Sequence, residues 1–193
     1  MQLIRNLVLA TALALFSGFA SAHYAIDYLG KGSNLRTGQW TRLESIENTA
    51  GNPYRAALKV RTSGVALAPG EGLIFTSDRD ESGARFKAGC DYRLAGPMPK
   101  ATLWSLSVNP ENGQATTAFA DRRYLVSRTV QWESDGRLSV AIASDARAGN
   151  WLAAPPAEGF TVSLRLYDTP LALNTTEMKI EDLPTIEKGA CAS

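Results

Sequence analysis

The segment Asp78-Arg79-Asp80-Glu81-Ser82-Gly83 has the residue types and spacing of the first half of a calcium-binding loop. In such a loop alternate side-chain oxygens point at the ion, here those of Asp78, Asp80 and Ser82, and glycine allows the bend that follows. The twelfth position, where a bidentate glutamate completes the site, is Gly89. Because Asp, Ser and Gly also suit a hairpin loop, we favour a hairpin over a metal site.

A single histidine limits the catalytic chemistry that this sequence can support. Ser-His-Asp and Cys-His mechanisms need an imidazole beside the nucleophile, and the usual zinc sites need histidine or several cysteines. His23 lies at the end of the apolar N-terminal segment, so both kinds of site are excluded. A glycosidase-like pair of carboxylates remains open, because its members meet only in the fold. The candidates, each more simply a solvated surface residue, are Asp91, Glu133, Asp145 and Glu158.

Arginine and aromatic side chains in the predicted strands and turns form the candidate ligand site. A strand-borne arginine either pairs with a carboxylate or holds an anionic ligand on a concave face. A large aromatic residue is either core or a platform for a ligand, and the structural interpretation is favoured for both types. No cofactor is expected. The candidate ligand-binding residues are Arg93, Trp104, Asn150, Trp151, Arg165 and Tyr167.

The N-terminal residues 1–22 have the features of a secretory signal peptide. Arg5 precedes an apolar run over residues 7–19, and Ala20-Ser21-Ala22 is a small-x-small cleavage site. The alternative is an uncleaved anchor in the inner membrane that ends near Ile26, because a helix from residue 7 would just span a bilayer. Cleavage is favoured. Either way the folded part is expected in the periplasm or outside the cell, with membrane contact only through this segment.

The two cysteines, Cys90 and Cys191, are expected to form a disulfide. An even number of cysteines in an exported chain favours pairing, because the compartment is oxidising. The bond would tether the C-terminal tail to the strand that holds Tyr92 and Arg93. A nucleophilic or metal-binding thiol pair is the alternative, but the sequence has no Cys-x-x-Cys motif and no histidine placed to activate a thiolate.

Short strand patterns separated by turn signals predict a mainly β domain. The clearest pattern is Phe160–Tyr167, where apolar and polar residues alternate after a connector stiffened by Pro155 and Pro156. A polar linker is expected over 23–39, one helix over 53–62, and a polar tail after residue 170. The other predicted strands are 72–77, 85–94, 102–108, 124–132 and 138–144. Together they predict a single β-sandwich domain over 40–193, with one N-terminal α-helix.

The charge balance argues against nucleic acid as a partner. The chain of 193 residues has 20 basic and 19 acidic residues and a formal net charge of +1. A nucleic-acid-binding protein has a basic surplus on one face, and an anionic membrane surface attracts the same kind of patch. The expected partner is therefore an unidentified ligand or protein of the cell envelope.

The stretch Gly149–Tyr167 resembles the bacterial family known as domain of unknown function 1214. Its relatives carry an Asn-Trp-Leu-x-x-Pro run, followed by Phe and a Leu-Arg-Leu-Tyr strand, and the same residues stand here from Asn150 to Tyr167. Ala153 replaces a proline that many relatives have. The resemblance covers about residues 40–191 and implies a jelly-roll-like β-sandwich, with no established activity.

Three further segments are similar to the short, single-domain, membrane-targeted branch of that family. They are a Cys-x-Tyr-Arg-Leu-x-Gly-Pro segment, a Trp-Ser-Leu strand and a Leu-Pro-Thr-Ile-Glu tail that ends in cysteine. In this sequence they lie at Cys90–Pro97, Trp104–Leu106 and Leu183–Cys191.

The sequence therefore favours an exported cell-envelope protein without enzymatic activity. It would be a binding or structural module whose ligand is a glycan, a lipid or a protein. The alternative is a carboxylate-dependent glycan hydrolase. Two carboxyl groups about 5 to 10 Å apart across a cleft would favour the hydrolase, and a shallow aromatic groove would favour the binding module.

Overall fold

A computed structural model describes residues 1–29, 35–43, 53–54, 57, 67–68, 70–110, 122–155, 159–172 and 182–191. The chain divides into two compact units. Residues 1–33 and 46–66 form the first unit, and residues 34–45 and 67–193 form the second.

The described part of the first unit is dominated by the helix α1, Gln2–Leu29. Its segment Gln2–Ile26 is long and apolar enough to cross a membrane, and its large apolar side chains are exposed. A signal sequence and a membrane anchor share this length and composition. Most of the helix predicted over 53–62 lies outside the described residues, although Pro53, Tyr54 and Ala57 are helical.

The second unit contains two β-sheets, which confirms the predicted mainly β, sandwich-like fold. Its described strands are β1 (Leu35–Thr37), β2 (Trp40–Leu43), β3 (Gly72–Ser77), β4 (Cys90–Gly96), β5 (Leu103–Pro110), β6 (Tyr124–Val126), β7 (Leu138–Ala143), β8 (Trp151–Ala153), β9 (Phe160–Tyr167) and β10 (Thr185–Cys191). The first sheet has the order β1-β2-β3-β9-β5-β6 and is antiparallel throughout. The second has the order β10-β4-β7-β8, and only its β7–β8 pair is parallel.

The core lies between the inner faces of the two sheets. Strand β9 shows why, since its four apolar residues at alternate positions are all buried while its polar residues point to the other face. Leu164 stands between Phe75 of β3 and Leu106 of β5 in the register of the first sheet. The second sheet contributes inward residues such as Leu94 and Ile142, which are fully buried in the same cluster.

The strand predictions at 72–77 and 160–167 are confirmed residue by residue. The strand predicted over 85–94 begins only at Cys90, because residues 78–86 form a loop closed by hydrogen bonds from Phe86 N to Asp78 O and from Asp80 N to Ala84 O. The strand predicted over 124–132 ends at residue 126, where the Thr129 N–H donates to the Val126 carbonyl and turns the chain.

Three segments predicted as irregular are strands. The expected linker over 23–39 contains β1, which pairs with β2. The connector before Phe160 begins with β8, whose pairing with β7 is parallel. The expected polar tail contains β10, which pairs with β4 because fully buried Ile186 anchors it in the core.

The predicted disulfide between Cys90 and Cys191 is confirmed. It joins the first residue of β4 to the last residue of β10, and these two residues are partners in the register of the sheet. Cys90 is buried and Cys191 is exposed. The bond thus fastens the C-terminal edge strand to the second sheet, and it indicates an oxidising compartment.

Tyr92 should make the folded protein less stable as the pH rises into the alkaline range. Burial raises the pKa of its phenol above the ordinary value of 10.0; the charge of Asp80 adds to this, and the hydrogen bond from the Lys87 N–H opposes it. The folded state therefore holds the proton more tightly, so the stabilisation is complete below about pH 10 and is lost as the pH rises through the folded pKa. We expect Tyr92→Phe to flatten the fall in the free energy of unfolding measured by urea titration from about pH 9 to 11. The exposed control Tyr124→Phe should keep the wild-type slope, and an unchanged slope in Tyr92→Phe would contradict the assignment.

Candidate functional site

A groove of about 420 Å³ lies over the outer face of the second sheet. In β4 and β7 the buried residues alternate with residues that face away from the core, and those outward residues form the floor. Several residues that line the groove, from β7, from β10 and from the loop before β8, are small, and their lack of bulk leaves the space that the groove occupies. The small lining residues are Ala141, Ala148, Gly149, Gly189 and Ala190.

Arg93 is the strand-borne cation in this groove. It lies on β4 opposite Ala141 of β7, and its side chain is exposed. Its Nε donates a hydrogen bond to Ser139 Oγ at 3.1 Å, which fixes the plane of the guanidinium. In the part of the chain that the structure describes, the two Nη groups have no hydrogen-bond or ion-pair partner. They are therefore available as donors to a ligand.

Trp132 is the one exposed tryptophan of the four in the sequence. Trp132 is 46% exposed to solvent, whereas Trp40, Trp104 and Trp151 are 2%, 3% and 7% exposed. The ring lines the groove and makes a T-shaped contact with buried Trp104, at a centroid distance of 6.1 Å. A β-bridge between Trp132 and Leu138 holds its backbone beside β7. The indole thus has a fixed position and an open surface.

Asn150 holds the segment that carries Trp132. Its Oδ1 accepts from the Gln131 N–H at 2.8 Å, and its Nδ2 donates to the carbonyl oxygens of Gln131 at 2.6 Å and Ser139 at 3.0 Å. Both amide hydrogens are used, so Asn150 is a positioning residue and offers no donor to a ligand. The preceding Gly149 has φ of +79°, a conformation that glycine adopts without strain.

Two carboxylates, Asp91 and Glu133, also line the groove. Asp91 Oδ2 accepts from Arg147 Nη2 at 2.6 Å, and this contact raises the pKa of Arg147, so the guanidinium stays charged. A glycosidase needs one carboxyl group that is free to give a proton to the leaving oxygen, and the carboxyl group of Asp91 is engaged with Arg147. Asp145 is exposed, and Glu158 lies outside the described residues. The arrangement gives Asp91 a structural contact and leaves Glu133 as an acceptor.

The structure separates the six predicted ligand-binding residues. Arg93 and Asn150 line the groove. Trp104 is buried in the core from β5, and Arg165 and Tyr167 are half-buried on the outward-facing side of β9 in the other sheet. Trp151 packs on the outer face of the second sheet against Ala143 and Ala153, and its Nε1 donates to the Ala143 carbonyl at 3.1 Å.

The side chain of Asp80 accepts hydrogen bonds from residues of its own loop. Asp80 is buried, and its Oδ1 accepts from Ser82 N at 3.0 Å, Ser82 Oγ at 2.6 Å and Ala84 N at 3.0 Å. Asp78 lies within ion-pair distance of Arg79 and Arg85. Among the described residues no group of three or more His, Cys, Asp or Glu side chains is placed to hold a metal ion. These contacts are those of a self-closed hairpin loop.

Sequence reasoning missed Trp132, Gln131 and Ser139 as groove residues. Trp132 ends the strand predicted over 124–132, where an aromatic residue is ordinarily core. The available signal is its position three residues before Asp135 of the Asp135-Gly136 turn, since a large aromatic residue next to a tight turn has few strand neighbours to bury it. Gln131 and Ser139 have no distinguishing pattern in the sequence.

A solved structure shares this fold. The VPA0106 protein of Vibrio parahaemolyticus aligns with a TM-score of 0.59 at 21% identity, over 90% of this chain and 43% of that chain. An uncharacterised protein from Burkholderia cenocepacia aligns with a TM-score of 0.45 at 17% identity, over 64% of this chain and 31% of that chain, which is too weak a match to show a shared fold. This chain spans less than half the length of the Vibrio protein. No curated protein sequence matches it.

The family is shown by the sequence itself. The family described as "Protein of unknown function (DUF1214)" matches residues 71–171, just over half of the 193 residues. The matched region runs from β3 through β9 and includes Arg93, Trp132 and Asn150. The chain therefore belongs to the DUF1214 family.

Proposed function

We propose that this protein is an exported, non-enzymatic binding module of the cell envelope, and that its groove binds a sugar unit of a glycan. The observation that carries the proposal is an exposed, rigidly held indole beside a groove that also holds Arg93 with unused donors. The faces of a sugar ring are apolar, and its edges carry hydroxyls. An aromatic surface with a few fixed polar groups matches both features.

The dimensions and chemistry of the groove support a small polar ligand. Its volume of about 420 Å³ falls in the usual range for ligand pockets. Gln131 and Glu133 add an amide and a carboxylate that can bond hydroxyls, and the small residues of the floor leave room for a ring. A lipid chain would need a larger apolar lining, and the lining here mixes polar and small residues.

Export is supported by two independent features. The apolar helix α1 at the N-terminus has the length and composition of a signal sequence or an anchor. The Cys90–Cys191 disulfide is typical of proteins that fold in an oxidising compartment. We therefore place the second unit in the periplasm or outside the cell, where envelope glycans are present. An anchor in the inner membrane remains the alternative to cleavage of the segment.

Tryptophan fluorescence tests this function directly. Because Trp132 is the exposed tryptophan, acrylamide should quench mainly its emission, and a bound sugar should protect it. The ligands are soluble peptidoglycan fragments and envelope oligosaccharides, added to the oxidised full chain in mild detergent. Isothermal titration calorimetry, which does not depend on the Trp132 emission, should show that Trp132→Ala weakens binding about tenfold, and that Trp132→Phe weakens it less because a ring remains.

The matched control is Tyr124→Ala, which removes an exposed aromatic residue from β6 in the other sheet. It should leave the affinity unchanged. The proposal fails if no glycan protects Trp132 from acrylamide, or if Tyr124→Ala weakens binding as much as Trp132→Ala. Release of shortened sugars during incubation would instead identify a hydrolase, and Glu133→Gln would then be the variant to assay.

A further inference from the structure

The geometry points to a carboxylate-bearing sugar as the ligand. We propose that the groove selects such a sugar, with its carboxylate accepting two N–H groups of Arg93 while its ring lies against Trp132. This inference rests on the proposed function and names the ligand class of the same groove.

Arg93 is directed toward the groove and away from the neighbouring acid. In the sheet register it lies opposite Glu187 of β10 on one side and Ala141 of β7 on the other. Its Nε bonds Ser139 on β7, so the guanidinium leans across β7. Among the described residues, Glu187 makes no ion pair with it within 4.0 Å. The fork of two Nη groups is therefore open on the groove side.

The neighbouring carboxylate on β4 does not oppose an anion in this position. Asp91 lies two residues before Arg93 on the same face of β4, and its charge is balanced by the 2.6 Å contact with Arg147. Glu133 is the remaining acid of the lining and belongs to the exposed 132–138 hairpin. A surface acid of this kind is screened by solvent and can accept from sugar hydroxyls.

An open guanidinium fork is better matched to a carboxylate than to a hydroxyl. Two parallel N–H···O bonds satisfy both Nη groups and both carboxylate oxygens, and such charge-assisted pairs are about twice as strong as neutral hydrogen bonds. The side-chain amide of half-buried Asn150 has already used both of its donor hydrogens. Arg93 is therefore the group that distinguishes an acidic sugar from a neutral one.

The test compares a uronic-acid oligosaccharide with its methyl ester, a neutral oligosaccharide of the same length and a sugar phosphate. Binding to the oxidised full chain is measured by protection of Trp132 from acrylamide. We expect the acid to bind at least tenfold tighter than its methyl ester, with the preference weakened by added salt. Arg93→Gln should remove the preference and retain weak binding of the neutral sugar. Arg93→Lys should retain part of it, because lysine keeps the charge and loses the fork.

Arg36→Gln is the matched control. It removes one positive charge from an exposed arginine on β1 in the other sheet, whose Nε likewise makes one hydrogen bond. Its acid preference should equal that of the wild type. Equal binding of acid and ester, a preference for the phosphate, or a preference that persists in Arg93→Gln would each overturn the inference while leaving the binding function standing. Absence of binding by every sugar would overturn both.

Discussion

Replacement of Cys90 by alanine and Cys191 by serine is expected to lower the free energy of unfolding by about 4 to 5 kcal/mol. The disulfide joins residues separated by 101 positions, so it restricts a loop of about a hundred residues in the unfolded chain. The alanine suits the buried position of Cys90, and the serine suits exposed Cys191. Equilibrium unfolding in urea under oxidising conditions measures the change.

The same substitution should loosen β10 first. Strand β10 is at the edge of its sheet, and within the described residues its strand partner is β4 alone. Ile186 anchors its N-terminal half, the five residues that follow Ile186 are exposed, and the register shifts between Lys188 and Cys191. Hydrogen exchange should therefore accelerate in β10 before it accelerates in β9. Since Gly189 and Ala190 line the groove, affinity for the sugar should fall as well.

Reductant provides the matched control for this prediction. Adding it to the wild-type protein should reproduce the stability of the double variant, and adding it to the variant should change nothing. The prediction is wrong if the reduced wild-type protein loses less than about 1 kcal/mol. That result would mean that the packing of Ile186 and the ladder to β4 hold the strand without the covalent bond.

The elements that could be predicted from sequence are those whose local pattern agrees with their tertiary position. Strand β9 alternates perfectly because one face is core, and its central place between β3 and β5 only strengthens what the pattern indicates. The disulfide followed from the export signal and the even number of cysteines. In each case a single requirement determines the structure: burial of one strand face in β9, and pairing of the two thiols in the disulfide.

The elements that could not be predicted depend on a partner for their structure. Strand β10 has a single buried apolar residue, Ile186, so its conformation comes from the ladder to β4 and the disulfide. Strand β8 has three residues and pairs in parallel with β7, which no short-range pattern encodes. In such segments tertiary contacts decide the structure, and local preference is too weak to reveal it.

The groove was only partly predictable for the same reason. Arg93 and Asn150 stand in the segments that carry the family resemblance, and both line the groove. Trp132 is distant from them in sequence and joins them through the pairing of β4 with β7 and through the contacts of Asn150. The register of two strands and one side-chain bridge must be known before these three residues can be placed together.

Asn150→Ala is expected to lower the free energy of unfolding by about 2 kcal/mol and to weaken sugar binding. The substitution removes three hydrogen bonds, each worth about 1 kcal/mol net, and partial exposure of the site reduces the sum. Gln131 loses both of its contacts to the side chain, so Trp132 should become more mobile. Urea unfolding measures the first effect, and the anisotropy of the tryptophan emission together with the sugar titration measures the second.

Asn109→Ala is the matched control, because Asn109 is an exposed asparagine on β5. Among the described residues its amide donates to Ser107 Oγ at 3.4 Å and to Ser163 Oγ at 3.2 Å. Asn109→Ala should lower the free energy of unfolding by less than about 1 kcal/mol and should leave sugar binding unchanged. Asn150→Asp should lower the free energy of unfolding more than Asn150→Ala does. A carboxylate cannot donate a hydrogen bond, and it would face the carbonyl oxygens of Gln131 and Ser139. If Asn150→Ala and Asn109→Ala cost the same and bind the sugar equally, then Asn150 does not position Trp132, and the rigidity of the groove must come from the contact between Trp132 and Trp104.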